Sequence, residues 1–167
     1  MEPMIIFCHI EKTAGTTLTE LLRAHFGLRH ADVLRHAIVG RDGIKVPYFY
    51  DAEDLRRDRY LYPGMRSGPG HHIRPCVDFE EFDHLLRWYT FLRDPIARLR
   101  SHYLHEVAIS DYSESLPECL RRFKRDDIMV RKLAGERDLA AAKTILETKM
   151  QFVGIQEKFD QSLLLMR

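Results

Sequence analysis

Met4-Ile5-Ile6-Phe7-Cys8, followed by His9-Ile10-Glu11-Lys12-Thr13-Ala14-Gly15-Thr16-Thr17, is the stretch on which the fold turns. Its first five residues form a short continuous apolar run, the pattern of a parallel strand buried on both faces. Polar and small residues follow from Glu11 to Thr17. Leu18, Leu21, Leu22, His25 and Phe26 then recur at helical spacing, with Gly27 as a stop signal. Strand, small-residue loop and amphipathic helix in this order predict the opening of an α/β nucleotide-binding domain. A helix N-terminus leaves backbone N–H groups unpaired and carries partial positive charge, so this junction suits a phosphate or sulfate. Ala14 and Gly15 let the backbone approach an anion, Thr16 and Thr17 bring hydroxyl donors, and Lys12 brings a mobile cation.

The P-loop of ATP-dependent enzymes, G-x-x-x-x-G-K-[ST], does not fit this order. Glu11 precedes Lys12, no glycine occurs before Gly15, and the lysine comes before the glycine rather than after it. A P-loop-type kinase is therefore the disfavoured alternative. The order resembles instead the 5′-phosphosulfate loop of sulfotransferases that use 3′-phosphoadenosine 5′-phosphosulfate (PAPS), commonly P-K-T-A-G-T-T or P-K-S-G-T-T. Glu11 stands where that pattern has proline, a change that bears on loop stiffness more than on ligand contacts. The resemblance implies that Lys12 stabilises charge at the transferring sulfuryl and leaving phosphate. It also implies that backbone N–H groups from Thr13 through Ala14, Gly15 and Thr16 to Thr17, with the two last hydroxyls, cradle the 5′-phosphate.

A second block lies downstream. Trp88-Tyr89-Thr90-Phe91-Leu92 reads as a buried strand, and Asp94-Pro95 as the cap and first residue of a helix carrying Ile96, Leu99, Tyr103 and Val107 on one face. Phe91-Leu92-Arg93-Asp94-Pro95 with Ser101, eight residues after the arginine, is similar to the 3′-phosphate element of the same family. A terminal phosphate exposes three oxygens, and a planar guanidinium with a hydroxyl donor recognises it directionally. The match implies that Arg93 and Ser101 bind the 3′-phosphate. Arg98 and Arg100 read as a solvated helix face. His102 and His105 are spaced as a metal pair would be, but no nearby ligand completes a site, and sulfuryl transfer from PAPS needs no metal.

Attack by an acceptor hydroxyl calls for a base, a task suited to histidine. Ser67-Gly68-Pro69-Gly70-His71-His72 reads as a Gly/Pro loop between the two blocks. Members related to the carbohydrate 2-O-sulfotransferases often carry a Gly-His pair here, which implies His71 as the base and His72 as the fallback. Glu11 and Glu106 are weaker candidates. Short helices are expected over Asp51–Arg57, Pro117–Arg125, Asp127–Leu133 and Asp138–Thr148. Phe152-Val153-Gly154-Ile155 reads as a third strand before a last helix over Phe159–Met166, and Phe152 to Leu163 resembles the family's F-V-G-L-T-E-R-F-D-E-S-L scaffold segment. The expected fold is thus α/β: a central, mainly parallel sheet flanked by helices, related to P-loop NTPases. The family pattern continues past this segment with a basic loop and further helices, so those C-terminal elements are expected to be missing.

Composition bounds the rest. At 167 residues the chain suits one domain, 1–167, with a real core. A formal net charge of +1 argues against bulk nucleic-acid or membrane-surface binding, while a small anion needs only a few placed cations. Cys8, Cys76 and Cys119 follow no metal spacing and read as reduced thiols. The first apolar run is far too short to span a bilayer, so no transmembrane segment and a bacterial-type cytoplasmic protein are expected. The expected function is sulfuryl transfer from PAPS to an acceptor hydroxyl, on a carbohydrate by family weight, releasing adenosine 3′,5′-bisphosphate. The alternative within the family is a catalytically inactive module that binds PAPS or the bisphosphate. No residue pattern speaks to oligomeric state.

Overall fold

Strand β1 (Met4–Cys8) sends Met4, Ile6 and Cys8 to one side and Ile5 and Phe7 to the other, and both sides are covered. The structure, a computed structural model, describes residues 2–32, 38–39, 45–46, 49–70, 72–109, 115–123 and 127–166. After β1 come α1 (Gly15–Phe26), β2 (Ile38–Val39), β3 (Lys45–Val46), α2 (Ala52–Leu61), β4 (Ser67–Gly70) and β5 (Leu86–Leu92). Helices α3 (Pro95–Ile109), α4 (Leu116–Phe123), α5 (Ile128–Ala134) and α6 (Leu139–Thr148) lead to β6 (Met150–Ile155) and α7 (Phe159–Leu165).

The main sheet is parallel throughout, in the order β4-β1-β5-β6. Its two faces hold separate cores. On one, Met4, Ile6, Cys8, Leu86 and Trp88 pack with Leu55 of α2, Leu133 of α5 and Ala142 of α6. On the other, Phe7 and Phe91 pack with Leu18 and Leu22 of α1, and with Phe159 and Leu163 of α7. Each large side chain buried in this way contributes roughly 1.5–3 kcal/mol. The apolar run read from the sequence is therefore a strand covered on both sides, as that pattern requires.

Polar groups close what the strands leave open. β5 and β6 slip register between Trp88 and Tyr89, and the Trp88 N–H donates instead to Gln151 Oε1 at 2.7 Å. Thr90, fully buried, donates its hydroxyl to the Cys8 carbonyl at 3.0 Å. Ser162 of α7 accepts from the Ile155 N–H at 3.0 Å, which pins the helix to the end of β6. Asp51 caps α2 in a reciprocal box with Asp54, and Asp94 caps α3 by accepting from the Ala97 N–H at 2.8 Å.

Three expectations change. Ser67–Gly70 is an edge strand paired with β1, where the sequence reads as loop. Its glycines carry no pattern to read, and the backbone ladder does the work: the Ile5 N–H donates to Arg66 O at 2.9 Å and the His9 N–H to Gly70 O at 3.2 Å. Proline is tolerated there because, past the bridge from Ser67 to His30, the edge strand has no named strand on its outer side. Arg98 is buried rather than solvated, while Arg100 is exposed as expected. The expected apolar face of α3 is largely open, with Ile96 and Val107 exposed.

Gly154 sits opposite Phe91, where an added Cβ would lie 2.4 Å from the ring. Phe91 is fully buried and its ring lies 5.2 Å from that of Phe159, so it has little room to retreat. Gly154→Val is expected to destabilise by about 1–3 kcal/mol, lowering Tm by roughly 2–10 °C in a thermal melt.

Candidate functional site

The sheet order reverses between β1 and β5, since β4 lies beyond one and β6 beyond the other. In open α/β sheets the crevice outside the carboxyl ends at such a point is the usual ligand site. The loop after β1 and the turn after β5 meet there. Arg93, immediately after β5, donates from Nη1 to the Lys12 carbonyl at 3.1 Å. One hydrogen bond thus joins the two sequence blocks.

The loop is held tightly. Thr13 is fully buried and donates its hydroxyl to the Ile10 carbonyl at 2.8 Å. Lys12 and Ala14 have φ of 67° and 71°, a left-handed conformation that costs a residue with a Cβ on the order of 1 kcal/mol or more. Ala14 is the N-cap of α1 and supplies no side-chain cap, so the first-turn N–H groups face the crevice without one. Glu11 pairs with Lys132 of α5 at 2.9 Å, and Lys132 is 8% exposed. Gly15 leaves room for the His9 ring, since a Cβ there would sit 2.0 Å from His9 Nε2. His9 in turn stacks on Phe7, with ring centres 5.5 Å apart.

A cleft of about 580 Å³ opens over this loop. Lys12, Ala14, Gly15, Thr16 and Thr17 line one side, and Arg93 and Ser101 line the same cleft. Thr13 is not among its lining residues; its side chain is spent inside the loop. His71 lies outside the described residues. His72 is half-buried and does not line the cleft, and its carbonyl accepts from the Tyr50 N–H at 3.1 Å. Arg93 and Ser101 also line a neighbouring cavity of about 480 Å³ together with Arg100, Ile96 and Leu104.

His9 and Gln156 also line the cleft over the loop and were not singled out from sequence, while Glu11 and Glu106, the weaker base candidates, and His102 and His105, weighed there only as a metal pair, line it too. Ser101, His105 and the residues beside them recur at one helical turn, a signal that periodicity carries once Ser101 is placed in a site. Burial foremost, then the Arg98 charge, holds the His102 imidazole below its ordinary value of 6.5. Cys8, just beneath the loop, is inert: burial pushes its thiol up to about 12. Among the described residues no group of three or more His, Cys, Asp or Glu is placed to hold a metal ion. None of the described helices is long and apolar enough to cross a membrane.

This is an α/β architecture, a parallel sheet flanked by helices, with a cleft at the switch point of its sheet. Among solved structures, the chain is similar to a sulfotransferase from Alicyclobacillus acidocaldarius, at 17% identity and a TM-score of 0.54. The match covers 99% of this chain and 78% of that one, so the two share a fold over nearly the whole length described. No protein-family description and no curated protein matches the sequence.

Gly15→Ala is expected to force the His9 ring off Phe7 and to destabilise by about 1–3 kcal/mol in denaturant unfolding. The His9 ring resonances would shift with it in an NMR spectrum, since stacking on Phe7 is lost.

Proposed function

We propose that the chain binds PAPS in this cleft and transfers its sulfuryl group to an acceptor hydroxyl, that of a carbohydrate by family resemblance. The observation that carries the reading is Arg93. Its Nη1 is tied to the Lys12 carbonyl, while its buried Nε has no hydrogen-bond partner among the described residues. The Glu157 carboxylate lies 3.9 Å from that Nε, too far to satisfy it. A guanidinium with an unpaired N–H at the edge of the cleft, beside an uncapped helix N-terminus, suits a ligand with two separate anionic groups. PAPS is such a ligand, and when bound it supplies the activated sulfuryl group.

In this reading Arg93 and Ser101 hold the 3′-phosphate, and the first-turn N–H groups of α1 with Thr16 and Thr17 hold the 5′-phosphate. Lys12 offsets charge that grows on the leaving phosphate, and most of the rate comes from positioning and electrostatics. The resemblance to the 2-O-sulfotransferase branch adds His71 as a base. The fold shared with the bacterial sulfotransferase agrees with this reading without distinguishing its substrates.

Calorimetric titration with adenosine 3′,5′-bisphosphate tests it. Binding is expected for the natural chain, and Arg93→Ala should weaken it about 10–100-fold, the worth of a hydrogen bond to a charged group. Equal binding by the variant would refute the role of Arg93. Tighter binding of ATP with Mg²⁺ than of the bisphosphate would replace the reading with a kinase.

A further inference from the structure

Phosphate binding leaves one wall of the cleft without a task. α3 turns Ser101, His102, His105 and Glu106 toward it, so past the serine there stand two imidazoles and a carboxylate. They share the cleft with Lys12, the residue placed at the transferring group. The charged groups facing His102 are Arg98 and Glu106 from α3 itself, and Glu11 and Lys12 from the loop after β1. Arg93, His9 and His105 complete the titratable lining. Partial burial and the neighbouring cations disfavour the imidazolium, so His102 stands neutral and proton-accepting at pH 7. Glu106, one turn on, favours the imidazolium once it forms.

Resting on the sulfuryl-transfer reading, we propose that His102, rather than His71, takes the acceptor proton, and that the His102–His105–Glu106 wall is where the acceptor hydroxyl docks. The acceptor oxygen attacks sulfur while its proton passes to a ring nitrogen of His102. An O–S bond forms, the bond from sulfur to the bridging oxygen of the 5′-phosphate breaks, and that electron pair leaves on adenosine 3′,5′-bisphosphate. His102 then returns the proton to solvent. The wall carries a carboxylate and no lysine or arginine, which fits a neutral sugar hydroxyl better than a polyanionic chain.

The test uses two acceptor probes with labelled PAPS: methyl β-galactoside, whose hydroxyls need a base, and 4-nitrophenol, which ionises near neutrality unaided. His102→Gln should bind the bisphosphate within about twofold of the natural chain, yet transfer to the galactoside about 100-fold or more slowly. Its transfer to 4-nitrophenol should fall far less. In the natural chain the galactoside rate should drop as pH falls through a value below 6.5, because protonation removes the base. Glu106→Gln should move that acid limb to still lower pH, since it removes the charge that favours the imidazolium. Unchanged galactoside rates in His102→Gln, an unshifted limb in Glu106→Gln, or loss in His71→Gln alone would overturn His102. So would a natural chain that binds the bisphosphate but transfers to neither probe. Absence of bisphosphate binding would overturn the sulfuryl-transfer reading itself, and His102 with it.

Discussion

The hydrogen bond from Arg93 Nη1 to the Lys12 carbonyl spans the carboxyl ends of two adjacent parallel strands, and the geometry of the cleft depends on it. A parallel ladder aligns β1 and β5 but leaves their exit loops free to diverge. The guanidinium removes that freedom by accepting the outward turn that Lys12 makes at φ 67°. A strained backbone persists only where its surroundings over-determine it. Here the restraints are the buried Thr13 hydroxyl below the loop, the Arg93 fork beside it, and the Phe7-backed His9 ring against Gly15. The same Arg93 is anchored from Nη1 and left without a hydrogen-bond partner at its buried Nε among the described residues, so the strut keeps a donor unspent.

Charge is distributed around this strut with a division of labour. Glu11 lines the cleft and would place a carboxylate near any anion held by the loop, and the nearly buried Lys132 pairs with it and offsets that charge. Burying such a pair costs desolvation that its attraction only partly offsets, so it is better explained by holding position than by stability. Where the sulfotransferase pattern has a proline to stiffen this point, an ion pair from a different helix can serve the same end. The α3 side of the cleft carries His102, His105 and Glu106, and the charges of Arg98, Glu106, Glu11 and Lys12 are all felt at His102.

Much of the architecture was legible because its signals are local. The apolar run Met4–Cys8, the helical spacing of Leu18 and Leu22, and the Asp94-Pro95 cap all act within a few residues of themselves, and each element forms where they stand. Ser67–Gly70 was not legible, since glycines and a proline have no periodicity and become a strand only by pairing with β1. The exposure of α3 was misread for a related reason. Spacing tells which residues share a face, but not whether another element arrives to cover it, and Arg98 rather than Ile96 is what the neighbours bury.

The sequence by itself determined a strand-to-helix turn with Lys12 ahead of Gly15, whose groups suit an anion, and an arginine and a serine, Arg93 and Ser101, eight residues apart across the start of the next helix. Residue type and spacing suffice for that, because hydroxyl, guanidinium and uncapped N–H groups have fixed donor chemistry. Only the tertiary structure decided that these groups share one cleft, that Thr13 is spent inside the loop, and that His102 rather than His72 faces Lys12. The sheet order β4-β1-β5-β6 is what brings residue 12 beside residue 93, and no local pattern records which strands will become neighbours.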